Sequence, residues 1–541
     1  MPPSAVPPDP GDLGFDDAGR PYSPRYGDVY RSHAGAFAEA RTVFVEGCGI
    51  EADWRGRARF AIVELGFGLG VNFLATLAAW RADPRRPDRL DFVSVERHPL
   101  GADELARALE AVGAGGADAQ ALLAQWPMPL PGLHRLSFAD HRVTLTLAIG
   151  DAAGLAGLLP VAADAFYLDG FAPARNPGMW TPALMKSLAR LARPGAALAT
   201  YTAARSVREA LGQAGFEVSL VPGFAGKRER IVARYAPRWR SFAPPPAAPD
   251  WPVREAVVVG GGLAGCAAGA ALAGRGWRVI VLERGAQPAG EGSAQPAVAD
   301  HLHVAPDDNP LARLSRAALL LERSAHPHSA PAGKLQVADG AAEFDRQTDC
   351  VRALAFPAGF LQALGADAAA DAAGLRLSHG GLWLPLCGSA DPVQRCLDLL
   401  RAPGGALEFR SGAEVARLQR EGAGWLALGA DGGCLAAAPV IVLANAGDAL
   451  RLAAQQATSL RRVRGQTTVL RRGALPGLRA VLGGDAYACP LPDGSTLVGS
   501  TFDDGESLEP DPHADLSNLR RLARMLAPGD ADPRSLLARA G

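Results

Sequence analysis

The sequence predicts an α/β protein of two domains, and three observations carry that prediction. At 541 residues the chain is too long for one ordinary core. A short β-branched run, a glycine turn and an apolar helix occur together twice, near residue 60 and near residue 256. A proline-rich stretch, APRWRSFAPPPAAPDWPV over 236–253, stands between the two.

Composition narrows the class. Apolar residues make up 48% and charged residues 21%, which excludes general disorder. A formal net charge of −1 provides no overall basic field, so any nucleic-acid site must be a local patch. Seven cysteines without a CxxC pair argue against a zinc site and a disulfide framework, and for a reducing cytoplasm. No metal is expected. MPPSAVPPDP lacks the basic and apolar regions of a secretory signal. Ala256 to Gly274 is uncharged, but strand, turn and helix account for it better than a membrane span.

The first half opens, after a tail over residues 1–20, with YGDVYRS (Tyr26 to Ser32) and a helix-like segment. Phe60 to Leu65 reads as a buried strand, Gly66-Phe67-Gly68-Leu69-Gly70 as the turn, and Val71 to Trp80 as the helix. The next strand ends in Glu96, and LTLAIGD ends in Gly150-Asp151. A GxGxG turn after a strand carrying Glu64 suits S-adenosylmethionine (SAM) better than NAD, because the third dinucleotide glycine is missing. On that reading Glu64, Gly66, Gly68 and Gly70 surround the ligand. Glu96 bonds the ribose hydroxyls and Asp151 accepts from the adenine amino group.

The segment AFYLDGFAPARNPGMW (Ala165 to Trp180) delivers Asp169 to the carboxyl end of the sheet. Pro173 and Pro177 shape an irregular loop whose Phe171 and Trp180 are expected to stack on a base. Lys227, Arg228, Arg230, Arg234, Arg238 and Arg240 follow the turn Pro222 to Gly226. Beside a base-stacking loop they read as a basic strip for RNA phosphates. The linker, stiffened by Pro244-Pro245-Pro246, reads as a semi-rigid spacer.

The second half begins with AVVVGGGLAGCAAGAALAGRGWRVIVLER (Ala256 to Arg284), a complete dinucleotide fingerprint. Gly260 makes the turn, Gly262 admits a pyrophosphate, Gly265 lets helix and strand pack, and Glu283 accepts from a ribose. The helix N-terminus attracts phosphate charge. Gly292-Ser293-Ala294 reads as a small-residue loop beneath that pyrophosphate, and Val440 to Leu443 as a distant strand ending in Ala444-Asn445-Ala446-Gly447. This separation favours FAD over NAD, with Gly447 on the second pass. Tyr487 to Pro490 and Thr496 to Thr501 suggest sheet covering a flavin.

Together these segments resemble the bifunctional MnmC family of tRNA wobble-uridine modification. GRPYSPRYGDVYRS, VELGFGLGVNFL, YLDGFAPARNPGMW, GFAGKRE, PDDNPLARL, GGLWLP and LVGSTF carry the resemblance, with the fingerprint itself. It implies a Rossmann-like class I methyltransferase over 1–235, the linker over 236–253, and a two-part FAD-binding amine-oxidase-like domain over 254–541. The partner it implies is tRNA, the location cytoplasmic and the chain a monomer. The FAD half converts carboxymethylaminomethyl-uridine to aminomethyl-uridine, and the SAM half methylates the freed amine. An alkylammonium, like Lys, has a pKa of roughly 10, so a carboxylate must take or orient its proton, and Asp169 is the candidate.

The resemblance also implies a final glycine-rich strand and helix closing on the flavin. None is legible after Thr501, which predicts weak FAD binding. Arg464 is the candidate for a substrate carboxylate. Two alternatives remain: fusion to an oxidase of small free amines, or a flavin-like half that only binds tRNA.

Overall fold

Strand β1 (Arg59–Leu65) is buried from Phe60 onward in the computed structural model. Parallel sheets are covered on both faces, so their strands run apolar without alternation. The structure describes residues 11–31, 35–238, 251–325, 331–401, 406–453, 461–504, 509–528 and 532–538. The polyproline part of the linker, Arg240 and the first ten residues of the tail lie outside the described residues. Two compact units result, one built mainly on the residues up to Asp250 and one mainly on those from Trp251.

In the first unit β1 is joined by β2 (Arg89–Glu96), β3 (Gly132–Phe138), β4 (Val143–Ile149), β5 (Ala163–Leu168), β6 (Ala192–Thr200), β7 (Phe216–Pro222) and β8 (Glu229–Tyr235). The sheet order is β7-β8-β6-β5-β1-β2-β4-β3. The five central strands are parallel, while β3 and the β7–β8 hairpin run antiparallel at the edges. The chain moves from β1 to β2 and β4 on one side, then crosses to β5 on the other. The crevice beyond the carboxyl ends of β1 and β5 is therefore the switch point, where open α/β sheets bind ligands. Helix α1 (Val71–Ala82) follows β1 and is buried on almost every face, which is why it carries so few polar residues.

The second unit is organised around four parallel strands, β9 (Glu255–Val259), β10 (Arg278–Leu282), β11 (Leu407–Arg410) and β12 (Val440–Leu443), in the order β11-β10-β9-β12. Helix α2 (Leu263–Ala273) leaves the glycine turn after β9. The distant strand thus pairs directly with the fingerprint strand. A separate seven-stranded sheet includes Lys334–Val337, Tyr487–Pro490 and Thr496–Gly499, and packs through Leu335 and Leu482 against Leu519 of the helix Pro512–Met525. Among the described residues no helix is long and apolar enough to cross a membrane.

Candidate functional site

The first cleft forms where two loops meet back to back. Gly66 has φ +89°, and a Cβ there would collide with the Asp169 carbonyl oxygen. The Asp169 N–H in turn donates to the Leu65 carbonyl at 2.9 Å. Only glycine satisfies both the backbone angle and the approach. The cleft encloses about 420 Å³ and is lined by Gly66, Gly68, Glu96, Asp151, Asp169 and Phe171, among others. Gly70 is not in the lining. Its φ of +73° starts α1 against the Phe67 ring, so its part is to turn the chain.

Glu96 clamps the turn. Its Oε2 accepts from the Gly68 N–H at 2.9 Å and its Oε1 from the His98 N–H at 2.7 Å. Asp151 caps a short helix through Oδ2, accepting from the Ala153 N–H at 3.1 Å, while Arg97 lies 3.3 Å from Oδ1. Both carboxylates therefore reach the cleft already oriented.

Asp169 is the carboxylate at the switch point. Its Oδ2 accepts from Asn72 Nδ2 at 2.7 Å and from Arg31 Nη2 at 2.9 Å. Burial pushes its carboxyl up, and the Arg31 guanidinium pulls the other way. Asn72 Nδ2 also donates to Glu64 Oε1 at 2.9 Å, and Ser94 Oγ donates to Glu64 Oε2 at 2.6 Å. The expectation that Glu64 touches a cofactor is corrected here. Glu64 is fully buried, outside the cleft lining, with its carboxyl pushed up to about 8 by burial. Strand alternation turns it beneath the turn toward α1 and away from the ligand.

Arg31, Asn72, Tyr201 and Lys227 join this site without having been singled out for it. Lys227 Nζ sits 4.2 Å from the Tyr201 ring centroid, and the Tyr201 hydroxyl donates to the Gly170 carbonyl at 2.9 Å. Asn72 had a signal, as one of only two uncharged polar residues in the apolar helix Val71–Ala82. Arg31 lies in the YGDVYRS motif, but a segment ahead of the eight-stranded sheet gives no register to the site.

Two further expectations change. Trp180 is buried, and its indole N–H donates to the Phe171 carbonyl at 3.0 Å, so it braces the loop instead of stacking on a base. Phe171 itself stacks on Tyr26 with ring centroids 4.6 Å apart. The basic strip is broken as well. Arg230 is buried, donating to the Val43 carbonyl at 3.2 Å and the Thr42 carbonyl at 3.1 Å. Arg234 pairs with Asp53 at 2.5 Å. Strand β8 pairs with β6 inside the sheet, where the Arg230 guanidinium serves packing, while Arg234 is exposed on its pair with Asp53.

The second cleft, about 590 Å³, is lined by Gly260, Gly262, Glu283, Ser293 and Asn445, among others. Glu283 is buried, its Oε2 accepting from the Gly261 N–H at 2.6 Å and its Oε1 from the Gly285 N–H at 2.7 Å. Ser293 Oγ accepts from the Leu263 N–H at 3.3 Å, at the first turn of α2. A Cβ on Gly265 would collide with the Gly260 carbonyl oxygen, so Gly265 permits the helix–strand packing expected of it and does not line the cleft.

A family described as S-adenosyl-L-methionine-dependent methyltransferase matches residues 115–236, and one described as FAD dependent oxidoreductase matches residues 255–541. The tRNA 5-methylaminomethyl-2-thiouridine biosynthesis bifunctional protein MnmC of Ralstonia nicotianae is 47% identical, covering 97% of this chain and 83% of that protein. The chain belongs to the MnmC family. The MnmC protein of Burkholderia vietnamiensis is 46% identical over 96% of this chain and 82% of its own length. A glycine oxidase structure from Geobacillus kaustophilus covers 51% of this chain and 79% of its own at 22% identity, with a TM-score of 0.43, too loose to argue from.

Membership of the MnmC family makes SAM and FAD the cofactors of the two halves. The residues present fit both. Behind the first cleft, next to Asp169, Asn72 Oδ1 is buried without a partner among the described residues, and in the lining of the second Asn445 Oδ1 is likewise unpartnered. The expectation for Gly447 is corrected: it is not in the lining, and its position faces Arg462, whose Nη2 donates to the Gly447 carbonyl at 3.1 Å. Ala446, with φ +50°, turns the chain there in its place. Arg464 is held by Asp503 at 3.2 Å and donates to the Glu509 carbonyl at 2.7 Å, which fixes it to the segment after the strand Thr496–Gly499.

Proposed function

We propose that this chain modifies the wobble uridine of tRNA in two successive steps. The second unit removes the carboxymethyl group from 5-carboxymethylaminomethyl-(2-thio)uridine with FAD. The first unit then methylates the freed amine with SAM, giving 5-methylaminomethyl-2-thiouridine. The domains run over 1–235 and 254–541, joined by 236–253. No disulfide joins the seven cysteines, which suits a cytoplasmic protein, and we read it as a monomer.

The observation that carries the first-unit reading is the anchored Asp169 at the switch point, bonded through one oxygen by Asn72 and Arg31. SAM, when bound, supplies an electrophilic methyl group. Gly66, Gly68, Glu96 and Asp151 form its bed, and Asp169 receives the proton that the amine must shed. In the second unit Gly260, Gly262 and Glu283 hold FAD, which supplies the two-electron acceptor for oxidation at carbon. The α2 N-terminus would attract the charge of its pyrophosphate.

Mass analysis of wobble nucleosides tests the whole reading. With FAD alone, carboxymethylaminomethyl tRNA should become aminomethyl tRNA; with SAM alone, only aminomethyl tRNA should gain a methyl group. Asp169→Asn should lower methyl transfer by about 10²- to 10⁴-fold while SAM binding holds. Full activity in that variant removes Asp169 from the mechanism.

A further inference from the structure

We propose that Arg31 is a positioning residue for methyl transfer, fixing Asp169 through Oδ2 so that Oδ1 meets the substrate amine. The inference rests on the assignment of Asp169 to the transfer site and goes one residue beyond it.

The geometry is that of a loaded carboxylate. Asn72 Nδ2 at 2.7 Å and Arg31 Nη2 at 2.9 Å both bond Oδ2, while Oδ1 has no donor among the described residues. Asp169 lines the cleft, and the Arg31 side chain is only 5% exposed. A buried guanidinium with its charge set against one carboxylate is held there by that carboxylate. Two bonds from different directions, one from α1 and one from the segment after Asp28–Val29, fix the plane of the carboxyl group. Asn72 is itself anchored by Glu64, so the support extends back into the sheet.

The charge has a second effect. Methyl transfer forms an N–C bond from the amine lone pair as the methyl–sulfur bond breaks, and that electron pair remains on sulfur. The surplus amine proton passes to Asp169 Oδ1 and on to solvent. An ammonium has no lone pair to give, so a neighbouring cation that disfavours ammonium favours reaction. Arg31 is that cation. The other groups facing Asp169 are Glu39, from the helix Ala36–Ala40, and Lys227, from the loop before β8, with Tyr201 beside them. Glu64 stands one hydrogen bond behind Asn72, and burial favours its neutral form.

The sign of the pH effect follows. Arg31 lowers the Asp169 carboxyl against the opposing effect of burial. Its removal raises that carboxyl and stabilises the incoming ammonium, so both changes move the acid limb of the kcat profile to higher pH. A single opposite charge at this range shifts a carboxyl by about 1–3 units, so a move of about one unit is expected.

The test measures kcat against pH for full-length wild type, Arg31→Leu and Arg31→Lys on tRNA carrying 5-aminomethyl-2-thiouridine, with SAM affinity measured by calorimetry. Arg31→Leu should move the acid limb up by about one unit, Arg31→Lys should restore most of it, and SAM affinity should stay within about twofold. Should Arg31→Leu not fold, Arg31→Gln carries the same comparison. An acid limb that does not move overturns the proposal, and so does loss of SAM binding, which would make Arg31 part of the cofactor bed. Asp169→Asn separates the two readings. If that variant is inactive and the Arg31 profiles superpose on wild type, only the role of Arg31 falls; if it is fully active, the assignment of Asp169 falls first.

Discussion

Both clefts are built from a strand, a glycine turn, a helix and a second strand ending in an acid, yet their glycines answer different demands. In the first turn Gly66, Gly68 and Gly70 all have positive φ, at +89°, +52° and +73°. In the second only Gly260 does, at +106°, while Gly262 has φ −77° and Gly265 lies within α2. The first set is needed for backbone shape and the second largely for space. The acids, by contrast, do the same thing. Glu96 and Glu283 each accept from an N–H of the glycine turn, so each is a clamp before it meets any ribose. The linings diverge again: the first holds Asp169 over a buried polar chain, while in the second Arg284 pairs with Glu291 and Arg451 with Asp448. Carboxylates bonded through both oxygens, as Glu291 and Asp448 are, suit a cradle, and a carboxylate with one undonated oxygen suits a reaction.

The largest expected effect comes from removing space. Gly265→Ala puts a methyl group against the Gly260 carbonyl, backbone against backbone, with no side chain able to move aside. Overpacking of ordinary side chains costs about 1–3 kcal/mol, and this contact should exceed that range. Flavin absorbance of the purified variant should disappear, while methyl transfer to aminomethyl tRNA stays near the wild-type rate. Loss of both activities would break the comparison, because the two clefts would then not be independent.

Much of the comparison was legible beforehand, because strand, turn and helix are local features. The two turns, the strand-end acids and the delivery of Asp169 by β5 all follow from runs of ten residues or fewer. What was not legible depends on direction and distance. Glu64 lies in the right strand but on the face that alternation turns toward α1. Arg31 meets Asp169 across 138 positions of sequence, a contact that no periodicity encodes. Trp180 and Arg230 look like surface recognition residues by type, and burial converts both into internal hydrogen-bond donors. Gly447 sits in the expected turn, one residue away from those that face the cleft.

Glu64 provides the next test, since the second cleft has no counterpart to its buried acid chain among the described residues. Burial pushes its carboxyl up to about 8, so the folded state binds a proton that the unfolded chain releases near its usual value of 4.5. A raised folded value means that the stabilisation is complete below about 4.5 and is lost as pH rises through about 8. Glu64→Gln copies the neutral acid, with Oε1 accepting from Asn72 and Nε2 donating to Ser94 Oγ. Its melting temperature should fall less than that of wild type between pH 5 and pH 8. Parallel losses in the two proteins would show that Glu64 is ionised in the folded state.

The smallest effects are expected from a matched pair of alanines that separates shape from space. At Gly68 an added Cβ has only the Tyr30 ring nearby, its Cδ1 at 3.5 Å and Cε1 at 3.9 Å, so nothing crowds it. Its φ of +52° is the whole cost, about 1–2 kcal/mol for an L-residue held left-handed. At Gly262 the backbone suits alanine, and the nearest atom is Ser293 Oγ at 3.1 Å, the end of a short side chain that need give only slightly and can keep its bond from the Leu263 N–H. Gly→Ala where φ is compatible gains about 0.4–1 kcal/mol by restricting the unfolded chain. Gly68→Ala should therefore lower the melting temperature and leave FAD retention unchanged. Gly262→Ala should hold or raise the melting temperature and weaken FAD, because the methyl group occupies the approach of the pyrophosphate. Opposite signs in stability are the decisive outcome; if Gly262→Ala destabilises as much as Gly68→Ala, the second turn uses its glycines for shape as well.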